Sequence, residues 1–242
     1  LNSIEIKNLT RKFKTRTAVD SLNLEIGEGE MFALLGQNGA GKSTTINMLS
    51  CILIPTDGDA FIYGHSIKND YEKVKEIING SPQETAVAPK LTVKENLELI
   101  ARIYGCDKEE AEKRANEMMT QFKLADRAND KAKSLSGGMQ RRLSIAMALI
   151  SDPKVLFLDE PTLGLDVRAR KNLWEAIAEL KGKITIILTT HYLEEAENLA
   201  DRIGIMNNGK LKALGTVDEI LKITNKTKFE DAFLSLTDTE VE

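Results

Sequence analysis

The 242-residue chain is poor in cysteine, has no excess of basic residues and contains no long apolar run. Cys51 and Cys106 stand far apart with no second pair, so neither a disulfide framework nor a metal-binding cysteine cluster is expected. Two lone thiols suit a protein kept reduced, as in the cytosol. Lys and Arg number 33 against 37 Asp and Glu, a net charge of −4. That sign excludes a chain held to nucleic acid by its overall field. No apolar stretch approaches the roughly eighteen residues of a membrane span. Polar residues within the first eight positions leave no visible secretory signal, and Leu1, not being methionine, implies a processed or trimmed start. With 42% hydrophobic and 29% charged residues, disorder, collagen and coiled coil are poor readings. One large globular unit, with room for an inserted subdomain, is the expectation.

Short strand patterns and longer helical patterns alternate along the chain, without repeats or low-complexity linkers. Ile4 to Leu9 and Leu22 to Ile26 alternate apolar and polar residues, as half-exposed antiparallel strands do. Met31 to Leu35, Val155 to Leu158 and Ile184 to Leu188 are solid apolar runs, suited to a parallel sheet covered on both faces. Asp201 to Met206 and Lys210 to Leu214 flank Asn207-Asn208-Gly209, which predicts a hairpin. Between Gln83 and Ile150 glycine is nearly absent until Gly137 and the patterns turn helical. Thr92 with Glu95 forms a capping-box pattern ahead of an apolar face of Val93, Leu97, Ile100 and Tyr104. Asp107 to Phe122 is charged and also helical. Thr216 with Glu219 opens a short C-terminal helix in the same way, and Thr237 to Glu242 reads as a frayed polar tail.

Gly36-Gln37-Asn38-Gly39-Ala40-Gly41-Lys42-Ser43 satisfies G-x-x-x-x-G-K-[ST] at every fixed position. It follows the buried run Met31 to Leu35 and precedes Thr44 to Leu53, where Ile46, Leu49 and Leu53 share a helical face. Strand, loop and helix in that order are what a phosphate cradle needs. The glycines Gly36, Gly39 and Gly41 let backbone N–H groups converge on phosphate, and the helix beginning near Thr44 aims its positive end there. Lys42 can reach β- and γ-phosphate oxygens, and the Ser43 hydroxyl can ligate Mg²⁺. Gly36, Asn38, Gly39, Gly41, Lys42, Ser43 and Thr44 are therefore the candidate nucleotide contacts.

Val155 to Leu158 ends in Asp159-Glu160. Two acids at a strand end are by themselves an ordinary solvated exit; beside a complete phosphate loop they read as Mg²⁺ ligand (Asp159) and general base for an attacking water (Glu160). Leu135-Ser136-Gly137-Gly138-Met139-Gln140 opens another helix, with Leu143, Met147 and Ile150 on one side. Ser136 can cap it and the glycines expose N–H groups, which makes an anion-ready helix start or simply a serine cap before a glycine pair. The residues alone leave those two readings even.

In order along the chain, the phosphate loop, Gln83, Leu135 to Gln140, Leu158-Asp159-Glu160 and His191 resemble the ATP-binding subunit of ABC transporters over almost the whole length. L-S-G-G-x-Q between phosphate loop and acidic strand is that family's own signature. Leu91 to Gly105 and Phe229 to Leu234 look like the drug and antibiotic export branch. The resemblance implies an α/β fold: a P-loop NTPase core with a mostly parallel sheet, an N-terminal antiparallel β subdomain and an inserted all-helical subdomain. Residues 1–82 with 151–220 would form the core, 83–150 the helical insert with the signature, and 221–242 a C-terminal helix and tail.

It further implies an ATPase using ATP and Mg²⁺, with a second ATP-binding subunit (an identical chain or a close paralogue) and a separate transmembrane permease as partners. Nucleic acid is not among them. Ser136, Gly137 and Gly138 would contact the γ-phosphate of ATP bound to the opposite subunit, with Gln140 in the same nucleotide-binding set. Gln83 would sense Mg²⁺ and the attacking water and link core to insert. His191 would hydrogen-bond the γ-phosphate and hold the water of Glu160. Phe13, where the family more often has tyrosine, would stack on adenine. Asp166 fits the loop that crosses the dimer interface, although Leu163 replaces a serine common there. The chain would sit peripherally on the cytoplasmic face of a membrane, docked through a cleft rimmed by Glu84 to Pro89.

Two other classes are less consistent with the sequence. ABC ATPases of chromosomes carry long coiled coils between loop and signature, and those of ribosomes usually carry two cassettes; neither is present. A regulatory nucleotide-binding module would usually have lost the base or the histidine, and Glu160 and His191 are both here.

Overall fold

The computed structural model describes residues 2–238. Along the chain come β1 (Asn2–Phe13), β2 (Arg16–Gly27), β3 (Met31–Leu35), helix α1 (Lys42–Leu49), β4 (Asp57–Ile62), β5 (His65–Ser66), α2 (Tyr71–Ile77) and β6 (Ile78–Ser81). Helices α3 (Val93–Ile103), α4 (Lys108–Gln121) and α5 (Gly137–Leu149) follow, then β7 (Val155–Asp159), α6 (Val167–Ala178), β8 (Thr185–Thr190) and α7 (Leu193–Leu199). The last elements are β9 (Arg202–Asn207), β10 (Lys210–Gly215), α8 (Val217–Thr224) and α9 (Phe229–Thr237). Two compact units divide the chain: Leu1–Glu76 with Lys181–Glu242, and Ile77–Leu180.

The first unit holds the antiparallel sheet β2-β1-β4-β5, in which inward residues such as Ile4, Leu9, Val19 and Ile26 are fully buried. It also holds β3 between β8 and β9, parallel to both, with β10 antiparallel on β9. All five residues of β3 are buried, which is why its sequence shows no alternation. Asn208 and Gly209 both have positive φ, 49° and 77°, as the two-residue hairpin turn between β9 and β10 requires. The α/β architecture, with an N-terminal antiparallel sheet and parallel strands among helices, is as the sequence implied.

In the second unit β6 and β7 pair in parallel, Ser81 opposite Leu158, and the stretch from Gln83 to Ile150 contains helices and two short 3-10 turns. Thr92 Oγ1 accepts from Glu95 N at 3.1 Å while Thr92 N donates to Glu95 Oε2 at 2.7 Å, the reciprocal cap of α3. Asp107 caps α4 by accepting from Glu110 N. The buried Asn96 accepts from Ala88 N at 2.8 Å and donates to Ala88 O at 3.1 Å, which ties the loop before α3 to that helix.

Four local expectations need correction. Helix α1 stops at Leu49, because Cys51 takes a left-handed φ of 57°; Leu53 lies beyond it. The buried face of α3 is Val93, Asn96, Leu97 and Ala101, a set that follows the 3.6-residue turn, whereas Tyr104 is the exposed C-cap. Two C-terminal helices are present where one was expected: Asn225, at φ 54°, ends α8, and α9 buries Phe229 and Phe233. Within the tail expected to fray, Thr237 is buried as the last residue of α9 and its carbonyl accepts from Asn207 Nδ2 at 3.0 Å. Leu1 and residues 239–242 lie outside the described residues.

Replacing Thr92 by alanine removes the reciprocal cap of α3 and should lower unfolding stability by about 1 kcal/mol. Thr92→Ser, which keeps the acceptor, should recover most of it; urea midpoints at an unchanged slope check the pair.

Candidate functional site

In the first unit, β3 leads straight into the phosphate loop, and Gly36 N donates to Thr190 O at the end of β8. The loop is clasped by its own protein. A Cβ on Gly36 would meet Met206 O at 2.5 Å, and one on Gly41, whose φ is +109°, would meet Ala18 O at 2.4 Å. Ala40 O accepts from Gly209 N at 3.0 Å, so the Asn-Gly hairpin tip buttresses the loop. Arg16 Nη2 donates to Gly39 O at 2.6 Å. The sequence offered no sign of either support, since both come from distant strands.

Lys42 is the first residue of α1 and is buried; its ammonium donates to Gly36 O at 2.7 Å and Gln37 O at 3.3 Å. The charge is thereby held over the loop. Ser43 and Thr44, half-buried, sit in the first turn of α1, whose N-cap Gly41 has no side chain to satisfy the leading amides. Asn38 and Gly39 are exposed at the tip. A helix start whose N-cap carries no side chain, with the helix dipole behind it, is suited to an anion. His191 follows the last residue of β8, half-buried, its ring 4.1 Å from that of Tyr192. Phe13 closes β1, 43% exposed as a residue, and the Arg11 guanidinium lies 4.6 Å from its ring centroid.

The second unit carries the remaining candidates. Gln83 is exposed just after β6, and Asp159 and Glu160 leave the neighbouring parallel strand β7. Asp159 is half-buried; Glu160 is 6% exposed and adopts φ 47°. Among the described residues no cluster of three or more His, Cys, Asp or Glu could hold a metal by itself. Mg²⁺ is suited to a sparser set, one or two carboxylates completed by phosphate oxygens and water, so the single carboxylate of Asp159 and the hydroxyl of Ser43 fit its chemistry.

Ser136 is the exposed N-cap of α5, accepting from Met139 N at 3.4 Å, a long and weak bond that leaves the hydroxyl available. A Cβ on Gly138 would come within 2.8 Å of Ala169 Cβ, whereas one on Gly137 would meet nothing within 4 Å. Gly138 is thus required by packing, and Gly137 has no packing reason to lack a side chain. Gln140 faces back along the loop, its Nε2 donating to Ala132 O at 3.1 Å and Leu135 O at 3.2 Å. Asp166 caps α6 through Ala169 N at 2.8 Å. The bonds of both side chains are local. Arg141, absent from the sequence-derived set, is 3% exposed and bonded to the backbone beside Gln83 and Glu160. A cation within a buried helical stretch was the one available signal.

The family profile described as "ABC transporter" matches residues 19–163. The chain belongs to the ABC transporter family. It is similar to the linearmycin resistance ATP-binding protein LnrL of Bacillus subtilis (strain 168), 40% identical over 90% of this chain and 70% of that protein. It is also similar to the human phospholipid-transporting ATPase ABCA3, 41% identical over 88% of this chain but only 13% of that protein. A solved structure titled as the dimeric post-hydrolysis state of the ATP-binding cassette MJ0796, bound to ADP and Pi, matches with TM-score 0.79 and 30% identity, covering 88% of this chain and 98% of that one. The ATP-binding, ATP-hydrolysing character of this ABC subunit follows from that membership.

Gly41→Ala would force a left-handed φ on a residue with a Cβ and drive that Cβ into Ala18 O. Affinity for a fluorescent ATP analogue, read by titration, is expected to fall by at least about tenfold, or about 1.4 kcal/mol.

Proposed function

We propose that this ABC subunit is the ATP-driven motor of a transporter of the export branch: two copies, or one copy and a close paralogue, close head to tail on ATP and reopen after hydrolysis. The observation that carries the reading is one phosphate-loop sequence on a chain with two helix starts suited to an anion, α1 after Gly41 and α5 after Ser136. The second start has an exposed hydroxyl and an open Gly137, and it finds a use when it reads the γ-phosphate of a nucleotide on another chain. The MJ0796 cassette, titled as dimeric with ADP and Pi, supports the arrangement by similarity. The resistance ATP-binding protein among the relatives supports export.

In this reading Lys42 and the amides of Gly36, Asn38, Gly39 and Gly41 hold the phosphates, with Thr44 beside them. Phe13 stacks on the base, a contact worth roughly 1–3 kcal/mol by analogy with stacked nucleobases. Ser136, Gly137, Gly138 and Gln140 read the partner's nucleotide, and Asp166 lies in the loop between the copies. Glu160 takes the proton of the attacking water, while His191 and Gln83 orient that water. Ser43, Asp159 and Gln83 would hold Mg²⁺, which when bound neutralises developing phosphate charge. Two copies double a net charge of −4, so the overall field repels ATP and affinity must come from these local donors.

Closure does work because ATP binds the closed pair more tightly than the open chains. Among the described residues no helix is long and apolar enough to cross a membrane. In this reading a separate permease supplies the pore, and this chain docks at the cytoplasmic face through the Glu84 to Pro89 rim.

Glu160→Gln should bind ATP, form a stable dimer by light scattering, and release phosphate more slowly by on the order of 10²-fold or more. A variant that stays monomeric in magnesium ATP, or turns over like the parent, overturns the reading. Excess EDTA should abolish phosphate release by the parent protein.

A further inference from the structure

A single buried side chain holds the backbone on both sides of the proposed base. Arg141 lies in the second turn of α5, five residues beyond Ser136, and is 3% exposed. Its Nε donates to Pro161 O at 2.9 Å and its Nη2 to Asp159 O at 2.9 Å. Its Nη1 donates to Pro82 O and, at 3.4 Å, to Gln83 O. These four acceptors are main-chain carbonyls, and all belong to the same compact unit as Arg141.

The pattern of acceptors matters more than their number. Asp159 O and Pro161 O are the carbonyls on either side of Glu160, whose φ of 47° is a conformation that residues with a Cβ adopt at a cost of roughly 1–3 kcal/mol. Such a conformation persists only where the surroundings over-determine it. The guanidinium does so from one rigid plane, and the same plane grips the carbonyls of Pro82 and Gln83.

We infer that Arg141 is a positioning residue for hydrolysis: it locks Glu160 and the Gln83 loop to the signature helix, so that the base, the water-sensing glutamine and the phosphate-reading helix start move as one piece. The inference rests on the reading of Glu160 as base. Lysine cannot replace it, because one ammonium is a point donor and lacks the planar fork that spans separated carbonyls.

The test uses the full chain with Arg141→Lys and Arg141→Gln, each alone and combined with Glu160→Gln. Phosphate release gives kcat and KM, a fluorescent ATP analogue gives affinity, and thermal melting reports folding. The phosphate loop belongs to the other compact unit, so ATP affinity should stay within about twofold while kcat falls on the order of tenfold or more, the size expected when a reacting group is displaced. In the Glu160→Gln background the second substitution should add little, since the group it positions is already gone. Unchanged kcat in Arg141→Lys, a loss that follows ATP affinity, or full additivity with Glu160→Gln overturns the inference. If Arg141→Gln fails to fold, the lysine variant decides by the same criteria. Failure of the base reading is separately visible, because Glu160→Gln alone would then turn over normally.

Discussion

A loop that presents main-chain amides in place of side chains has almost nothing of its own to hold itself in shape. The rest of the first unit answers that constraint. Gly36 and Gly41 pack so tightly on Met206 O and Ala18 O that no Cβ fits, and Gly209 N and Arg16 bind the carbonyls of Ala40 and Gly39. Glycine therefore serves two needs at once here: amides free to converge on an anion, and a backbone that neighbouring strands can grip. The β9–β10 hairpin, which carries no candidate contact of its own, belongs functionally to the phosphate loop.

The second unit meets a different problem. Glu160 and Gln83 stand just past the ends of adjacent parallel strands, where strand pairing has run out. Carbonyls at such strand ends need donors. Arg141 supplies them from α5, the helix that starts at the signature, so the backbone at the strand ends and the anion-ready helix start share one buried fork. Arg142, next along, turns the other way and donates to Phe122 O at the end of α4; burial pushes its guanidinium below its usual value. Two consecutive arginines thus bond α5 to the segments that follow β6 and β7 and to the end of α4.

Much of the fold was legible from local chemistry. The capping boxes at Thr92 and Thr216, the Asn-Gly turn and the unbroken apolar strands were read correctly because each is written within a few neighbouring residues. Where local reading failed, the cause was a single backbone event or a rotation. Cys51 and Asn225 turn left-handed and end helices that apolar spacing alone would continue or merge. Asn96 took a core place on α3 because its amide could satisfy both polar groups of Ala88, whereas Tyr104 was left outside. Hydrophobicity patterns cannot register either kind of exception.

The order of motifs along the chain, from phosphate loop to signature to acidic strand to histidine, was enough to assign family, nucleotide and candidate chemistry. Those motifs are read by spacing, and spacing survives without a fold. What holds the motifs in place was decided only in three dimensions. Arg141 meets carbonyls 18, 20, 58 and 59 residues away, and Gly36 meets Met206 across a parallel strand pair. Supports of that kind depend on chain segments brought together by burial, and no local pattern encodes them.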